Sequence, residues 1–240
     1  MNLIIDVGNT RIKLAVFKNS ELIHTESINN KNLIEKAAVL IKKFGCINAI
    51  ISSVGSIKKS QIEVIKTEID LLELNNYTKI PFKSNYATPK TLGVDRIALV
   101  SSAILNFPKA NVLVIDAGTC ITYDFVDKTG LYEGGAISPG IEMRYNSLHK
   151  FTNGLPLLKP TYLNELIGNS TESSIHLGII IGVISEIDSF INQYRKKNKD
   201  LTVVLTGGDT NFLSNRLKNS IFANPNFLLE GLNKILTHNS

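Results

Sequence analysis

Short apolar runs broken by turn-forming residues open the chain: NLIIDVG over 2–8, IKLAVFK over 12–18 and ELIHTES over 21–27. Their length and their richness in Ile, Leu and Val predict three strands. From Asn30 to Phe44 the apolar residues Leu33, Ile34, Ala37, Leu40, Ile41 and Phe44 fall at helical spacing. NAIISSV (48–54) reads as a buried strand and KKSQIEVIKTEI (58–69) as a helix. VDRIALVSSAILNF (94–107) predicts another helix, with Leu92, Ile97, Val100 and Ile104 near one side.

The pattern then restarts. VLVIDAGTCITYDFV (112–126) parallels the opening, with Leu113-Val114-Ile115-Asp116-x-Gly118 matching Leu3-Ile4-Ile5-Asp6-x-Gly8. Either two apolar hairpins coincide, or the chain is an internal duplication whose two parts open with the same hairpin. After a glycine-rich stretch, LYEGGAISPG (131–140), a short helix is expected around Met143, Leu148 and Phe151, followed by a segment holding Pro156 and Pro160. Ser174 to Lys197 is the longest helix candidate, and LTVVLTGGD (201–209) a strand ending in a glycine turn. Helices are expected around 212–217 and 227–236. Strands alternating with helices point to α/β lobes. We expect one over residues 1–109 and one over 110–240.

Composition narrows the class. The 240 residues suit one large domain or two lobes, and 43% hydrophobic with 20% charged residues is a globular balance. The net charge of +5 mildly favours anionic ligands such as nucleotides and is too small to argue for nucleic acid. The densest basic stretch, Arg195-Lys196-Lys197-Asn198-Lys199, reads as a solvated helix end suited to the helix dipole. Cys46 and Cys120 make neither a disulfide framework nor a zinc motif, so a reducing compartment is expected, with Cys46 a small buried hydrophobe. No signal peptide is expected, and the apolar LGIIIGVI is too short to span a membrane. His24, His149, His176 and His238 are scattered and form no constellation.

The polar residues that interrupt the strands carry the candidate chemistry. In the turn Asp6-Val7-Gly8-Asn9-Thr10, Gly8 lets backbone approach a ligand, Asn9 and Thr10 offer neutral donors, and Lys13 adds positive charge. Asp6 would repel a phosphate unless a cation stood between, which implies Mg²⁺ held directly or through water. The competing reading is an ordinary hairpin in which Asp6 caps its own turn. Asp116, Gly118 and Thr119 repeat the arrangement. The turn Thr206-Gly207-Gly208-Asp209 would lay flat backbone against adenine or ribose, or simply join a strand to a helix. In Gly93-Val94-Asp95-Arg96 a carboxylate that can accept a proton and a planar guanidinium suited to a carboxylate stand together at a helix start. A helix cap with a surface ion pair would look the same.

Together these features resemble the acetate and sugar kinase, Hsp70 and actin superfamily. The ordered motifs DVGNTRIK, GVDR, DAGTCITYD, GGAISPG and NSTESSIHLG resemble, in more detail, those of type III pantothenate kinases, from Asp6 to Asp209. The resemblance implies a duplicated actin-like (ribonuclease H-like) α/β fold and ATP-dependent phosphorylation of the primary hydroxyl of pantothenate, the first step of coenzyme A synthesis. It also implies Mg²⁺, a monovalent cation (K⁺ or NH₄⁺) and a homodimer; from cysteine usage, charge and hydropathy we expect a cytoplasmic protein with neither nucleic acid nor membrane as partner. Carried over by position, Asp6, Val7, Gly8, Asn9, Thr10, Arg11, Ile12 and Lys13 would form the first phosphate motif. Thr119, Gly207 and Gly208 would meet ATP, and Asp116 would hold the monovalent cation. Tyr86, Gly93, Val94, Asp95, Arg96 and Thr171 would meet pantothenate, with Asp95 as the base. Cys120 departs from the pattern, which usually has a smaller residue such as alanine there. The rival readings are a same-fold kinase of another small alcohol, a same-fold phosphatase, and a non-catalytic transcription accessory factor related to the family.

Overall fold

The computed structural model describes residues 1–240. The chain forms two compact units. The first comprises Met1–Lys109, Val126–Gly134 and Asn226–Ser240, and the second Ala110–Phe125 and Gly135–Pro225.

The first unit opens with β1 (Asn2–Val7), β2 (Ile12–Lys18) and β3 (Glu21–Ile28), each antiparallel to the one before. Helix α1 (Leu33–Phe44) follows a single 3₁₀ turn over Asn30–Asn32, so its first α-helical residue is Leu33. Strand β4 (Asn48–Ser53) runs parallel to β1, and after α2 (Lys59–Glu68) the short β5 (Asp70–Glu73) runs parallel to β4. The strand order is β3-β2-β1-β4-β5. Side chains alternate across a sheet. Leu3, Ile5, Val7, Ile12, Leu14, Val16, Ala49 and Ile51 therefore make one core with Leu33, Ala37 and Leu40 of α1 and Ile65 of α2. The opposite face carries Ile4, Asp6, Lys13, Ala15, Ile50 and Ser52. Beyond β6 (Lys83–Ser84), helix α3 (Val94–Asn106) packs on that opposite face. It is buried around its circumference from Arg96 to Ala103, more than the one-sided pattern expected.

The second unit repeats this plan. Strand β7 (Asn111–Ala117) is joined to β8 (Cys120–Val126) by residues 118–119, and β9 (Leu131–Pro139) comes next. Helices α4 (Ile141–Lys150) and α5 (Thr171–Lys197) precede β10 (Leu201–Thr206), which lies parallel to β7. The single-turn α6 (Thr210–Ser214) and β11 (Phe222–Ala223) follow. The sheet order is β11-β10-β7-β8-β9-β6. Counted from β9 it matches the first sheet strand for strand, with β7 in the place of β1 and β10 in that of β4. The match extends to residues: Asp6 lies across from Ser52, and Asp116 across from Thr206. The sequence duplication is thus a duplication of topology.

LYEGGAISPG, read from sequence only as glycine-rich, is strand β9 and the residue after it; its two glycines masked the alternation. One expectation changes. The apolar LGIIIGVI belongs to a helix of 27 residues, which by length and composition alone could cross a membrane. Its Ile175, Ile179, Ile180, Val183, Ile187 and Ile191 are instead buried in the core of the second unit. Cys46 is buried, and neither cysteine is in a disulfide.

Helix α7 (Phe227–Asn239) belongs to the first unit, packing on α3, β1 and β4. The two helices cross closely because position 231 lacks a side chain: a Cβ there would stand 1.9 Å from the Ala98 carbonyl oxygen. The buried Asn233 ties α7 to the sheet, donating to the Asn19 carbonyl at 2.7 Å and accepting from Asn2 Nδ2 at 2.8 Å.

Candidate active site

In the first unit the polar groups gather where the inner strands end on the face under α3. Asp6 and Lys13 stand opposite each other on β1 and β2. Withdrawal from water pushes the Asp6 carboxyl up to about 6, against the pull of Lys13 and with a further push from Asp95. Asp95 is the second residue of α3, and its Oδ1 accepts the Arg96 backbone N–H at 2.8 Å. The two carboxylates expected to matter, Asp6 and Asp95, therefore feel each other's charge.

The turn itself is partly self-satisfied. The Gly8 N–H donates to the Arg11 carbonyl at 3.1 Å, so that amide is already engaged. Asn9, Thr10 and Arg11 are exposed, while the side chains of Val7 and Ile12 are core. Those two can offer a ligand only backbone.

Arg96 is 4% exposed. Its Nη1 donates to Tyr86 Oη at 3.4 Å, and its guanidinium carbon lies 5.5 Å from the Tyr86 ring centre. Tyr86 in turn stacks on Tyr132 of β9 at 5.9 Å, with Phe82 edge-on to Tyr132 at 6.1 Å. The structure thus brings together Tyr86, Gly93, Val94, Asp95 and Arg96. Sequence reasoning missed Tyr132, which stacks on the Tyr86 ring, and Phe82, which meets Tyr132 edge-on. It also missed Ser52, whose fully buried Oγ has no hydrogen-bond partner and lies across the ladder from Asp6. The signal available was a pair of serines closing an otherwise apolar strand.

In the second unit, Asp116 is the penultimate residue of β7 and Thr119 is exposed in the β7–β8 turn, which is closed by the Gly118 N–H donating to Cys120 O at 2.9 Å. Gly207 has φ 96°, a left-handed conformation, and a Cβ there would lie 2.3 Å from both Asp116 Oδ1 and the Ala117 carbonyl oxygen. Gly208 is exposed with open space above it. Beside them burial, and then Glu142, push the Asp209 carboxyl up to about 6. Sequence reasoning named Asp209 only as the last residue of the glycine turn and did not single out Glu142. Thr171 is the exposed first residue of α5, where Ser170 caps the helix by accepting from Ser173 N at 3.2 Å. That helix begins three residues earlier than expected.

The donor sets limit which cations fit. No group of three or more His, Cys, Asp or Glu side chains converges anywhere in the chain. Asp6, withdrawn from water and near a second carboxylate, fits Mg²⁺, which takes one or two carboxylates and fills its shell with water and phosphate. Asp116 Oδ1 and the Ala117 carbonyl oxygen both lie close beside Gly207, and oxygen donors of this kind fit a hard monovalent ion.

Comparison with known proteins follows the geometry. The family model described as type III pantothenate kinase matches residues 2–193. A type III pantothenate kinase from Christiangramia forsetii is 53% identical over 240 residues, covering 100% of this chain and 99% of that protein. Among solved structures, a protein assigned to the Baf family of transcriptional activators from Campylobacter jejuni superposes with a TM-score of 0.64 at 22% identity, covering 99% of this chain and 98% of its own. A glucokinase from an Antarctic psychrotroph gives 0.52 at 12% identity, covering 100% and 99%. At such identities these structures speak for the fold alone, the actin-like arrangement of duplicated sheets. From the extent of the sequence matches, the chain belongs to the type III pantothenate kinase family.

Proposed function

We propose that the protein transfers the γ-phosphoryl group of ATP to the primary hydroxyl of pantothenate, the step that opens coenzyme A synthesis. The observation that carries this reading, beyond family membership, is the placing of Asp95 and Arg96 at the head of α3, against Asp6 and Lys13 on the sheet face beneath. Phosphoryl transfer asks a protein mainly for positioning and charge neutralisation. Asp95 accepts the hydroxyl proton as the hydroxyl oxygen bonds to the γ-phosphorus and the bond to the bridging oxygen breaks, releasing ADP. Arg96, oriented by Tyr86, faces the pantothenate carboxylate. Lys13 and the backbone of residues 6–13 would meet the phosphates of ATP, and Thr119, Gly207 and Gly208 are further ATP-binding candidates. Thr171 contributes to the pantothenate pocket.

Asp6, with the Ser52 hydroxyl as support for a bound water, would hold Mg²⁺, and Asp116 with the Ala117 carbonyl would hold K⁺ or NH₄⁺. These ions supply positive charge where the phosphates gather. We further propose a cytoplasmic homodimer that completes the pantothenate pocket across its interface. A coupled assay of ADP release tests the reading: turnover should require pantothenate and rise with K⁺. ADP release without pantothenate would favour a phosphatase, and turnover on a sugar in its place would favour a kinase of another alcohol.

A further inference from the structure

Arg144 and Glu186 anchor a polar cluster of the second unit outside the residues assigned above. Arg144, on α4, meets Glu186, on α5, with Nη2 to Oε2 at 2.6 Å. Both side chains are mostly buried, 22% and 24% exposed. The same Nη2 donates to Ser138 Oγ at 2.9 Å, and Arg144 Nε donates to the Pro139 carbonyl at 2.9 Å. On the far side of the carboxylate, Tyr123 of β8 donates to Glu186 Oε1 at 2.9 Å. Burial alone would push the Glu186 carboxyl up, but hydrogen bonds from Arg144, Ser138 and Tyr123 hold it below the ordinary value.

What this cluster grips is the end of β9. Ser138 and Pro139 lead directly into Gly140, whose N–H donates to the Thr119 carbonyl at 3.1 Å. Position 140 also lies hard against the β7–β8 turn: a Cβ there would be 2.1 Å from the Gly118 carbonyl oxygen and 2.5 Å from that of Thr119. A guanidinium fork fixed on one side by a carboxylate is thus clamped onto the two residues before the one that touches Gly118 and Thr119. A buried ion pair is weak evidence for stability, since apolar residues of similar volume often serve as well. Its use is to fix geometry.

We infer that Arg144, oriented by Glu186, is a positioning residue for the nucleotide: through Ser138, Pro139 and Gly140 it sets the Gly118–Thr119 turn. The inference rests on the reading that this turn meets ATP. Loosening the fork should weaken ATP and leave pantothenate alone. Arg144→Lys keeps the charge and the pairing with Glu186 but cannot hold both Ser138 and Pro139.

The test measures ATP binding by calorimetry without pantothenate, KM for each substrate, and the thermal midpoint, on the full chain. Arg144→Met and Arg144→Lys should both weaken ATP by roughly tenfold, the scale of one charge-assisted hydrogen bond, with the pantothenate KM within about twofold. Ser138→Ala, which removes one anchor and spares the buried pair, should weaken ATP by a smaller factor and keeps the test open if an Arg144 variant does not fold. A lowered thermal midpoint with unchanged ATP binding would make the cluster merely structural and overturn the inference. So would full recovery of ATP binding in Arg144→Lys, or a parallel rise in both KM values. Thr119→Ala separates the two layers. If it weakens ATP while the Arg144 and Ser138 variants do not, the inference alone falls. If it too leaves ATP binding unchanged, the ATP reading of the turn fails and the inference falls with it.

Discussion

At the scale of single residues, the proposed site rests on the carboxylates Asp6 and Asp95, the first of them withdrawn from water. Asp95→Asn preserves shape but removes the basic lone pair, and a positioned base contributes about 10²–10⁴-fold in rate. The variant should bind ATP normally and lose most turnover; near-normal turnover at saturating pantothenate would exclude Asp95 as the base. Arg96→Ala should chiefly raise the pantothenate KM, since a charge-assisted hydrogen bond contributes roughly 1.5–3 kcal/mol. Asp6 gives a prediction with a sign. Its carboxyl is raised from 3.8 to about 6 in the fold. Between those values the folded protein keeps a proton that the unfolded chain releases, so stability falls as pH rises through the window, by about 3 kcal/mol in all. Asp6→Asn should therefore raise the thermal midpoint of the ligand-free protein at pH 8, leave it nearly unchanged at pH 4, and impair turnover. An equal midpoint at pH 8 would mean the burial of Asp6 carries no penalty. Asp6, Asp95 and Asp116 were legible because each acid interrupts an apolar pattern beside a glycine. Tyr132 and Ser52 were not, because a tyrosine or serine in a strand is ordinary until the ladder shows what stands beside it.

At the scale of elements, the β7–β8 hairpin and the turn after β10 act as one piece because Gly207 lets them touch. Gly207→Ala must accommodate both a left-handed φ and a Cβ 2.3 Å from Asp116 Oδ1. We expect a folded protein that has lost its response to K⁺. Full K⁺ activation in that variant would move the cation site elsewhere. The longer strands and helices were legible from periodicity alone, because their apolar residues keep one rhythm for several turns or pleats. The elements that escaped were short or atypical. Strands β6 and β11 have two residues each, too few for any alternation. Strand β5 has four half-exposed or exposed residues at its sheet's edge, and β9 hides behind adjacent glycines. Helix α1 begins at Leu33 because the three residues before it take a tighter 3₁₀ turn, a choice periodicity does not register.

At the scale of the whole molecule, two sheets share one strand order, and the proposed homodimer makes a hydrodynamic prediction. At micromolar concentration the protein should sediment at twice the 26.4 kDa chain mass. A fully active monomer would sink the shared pantothenate pocket. The repeat of Leu3–Gly8 in Leu113–Gly118 made the duplication readable, but the lobe expected over 110–240 included the helix at 227–239, which belongs to the first unit. That placement governs when the first unit can be completed, because its last helix is also the last to be synthesised. Strands β1 and β4 emerge from the ribosome early, with one apolar face bare until α7 arrives to cover it. At roughly 5–20 residues per second, the interval between residue 7 and residue 239 lasts on the order of ten to fifty seconds. Through that time Ile4 and Ile50 lack part of their cover, and the nascent chain offers chaperones a hydrophobic sheet to hold.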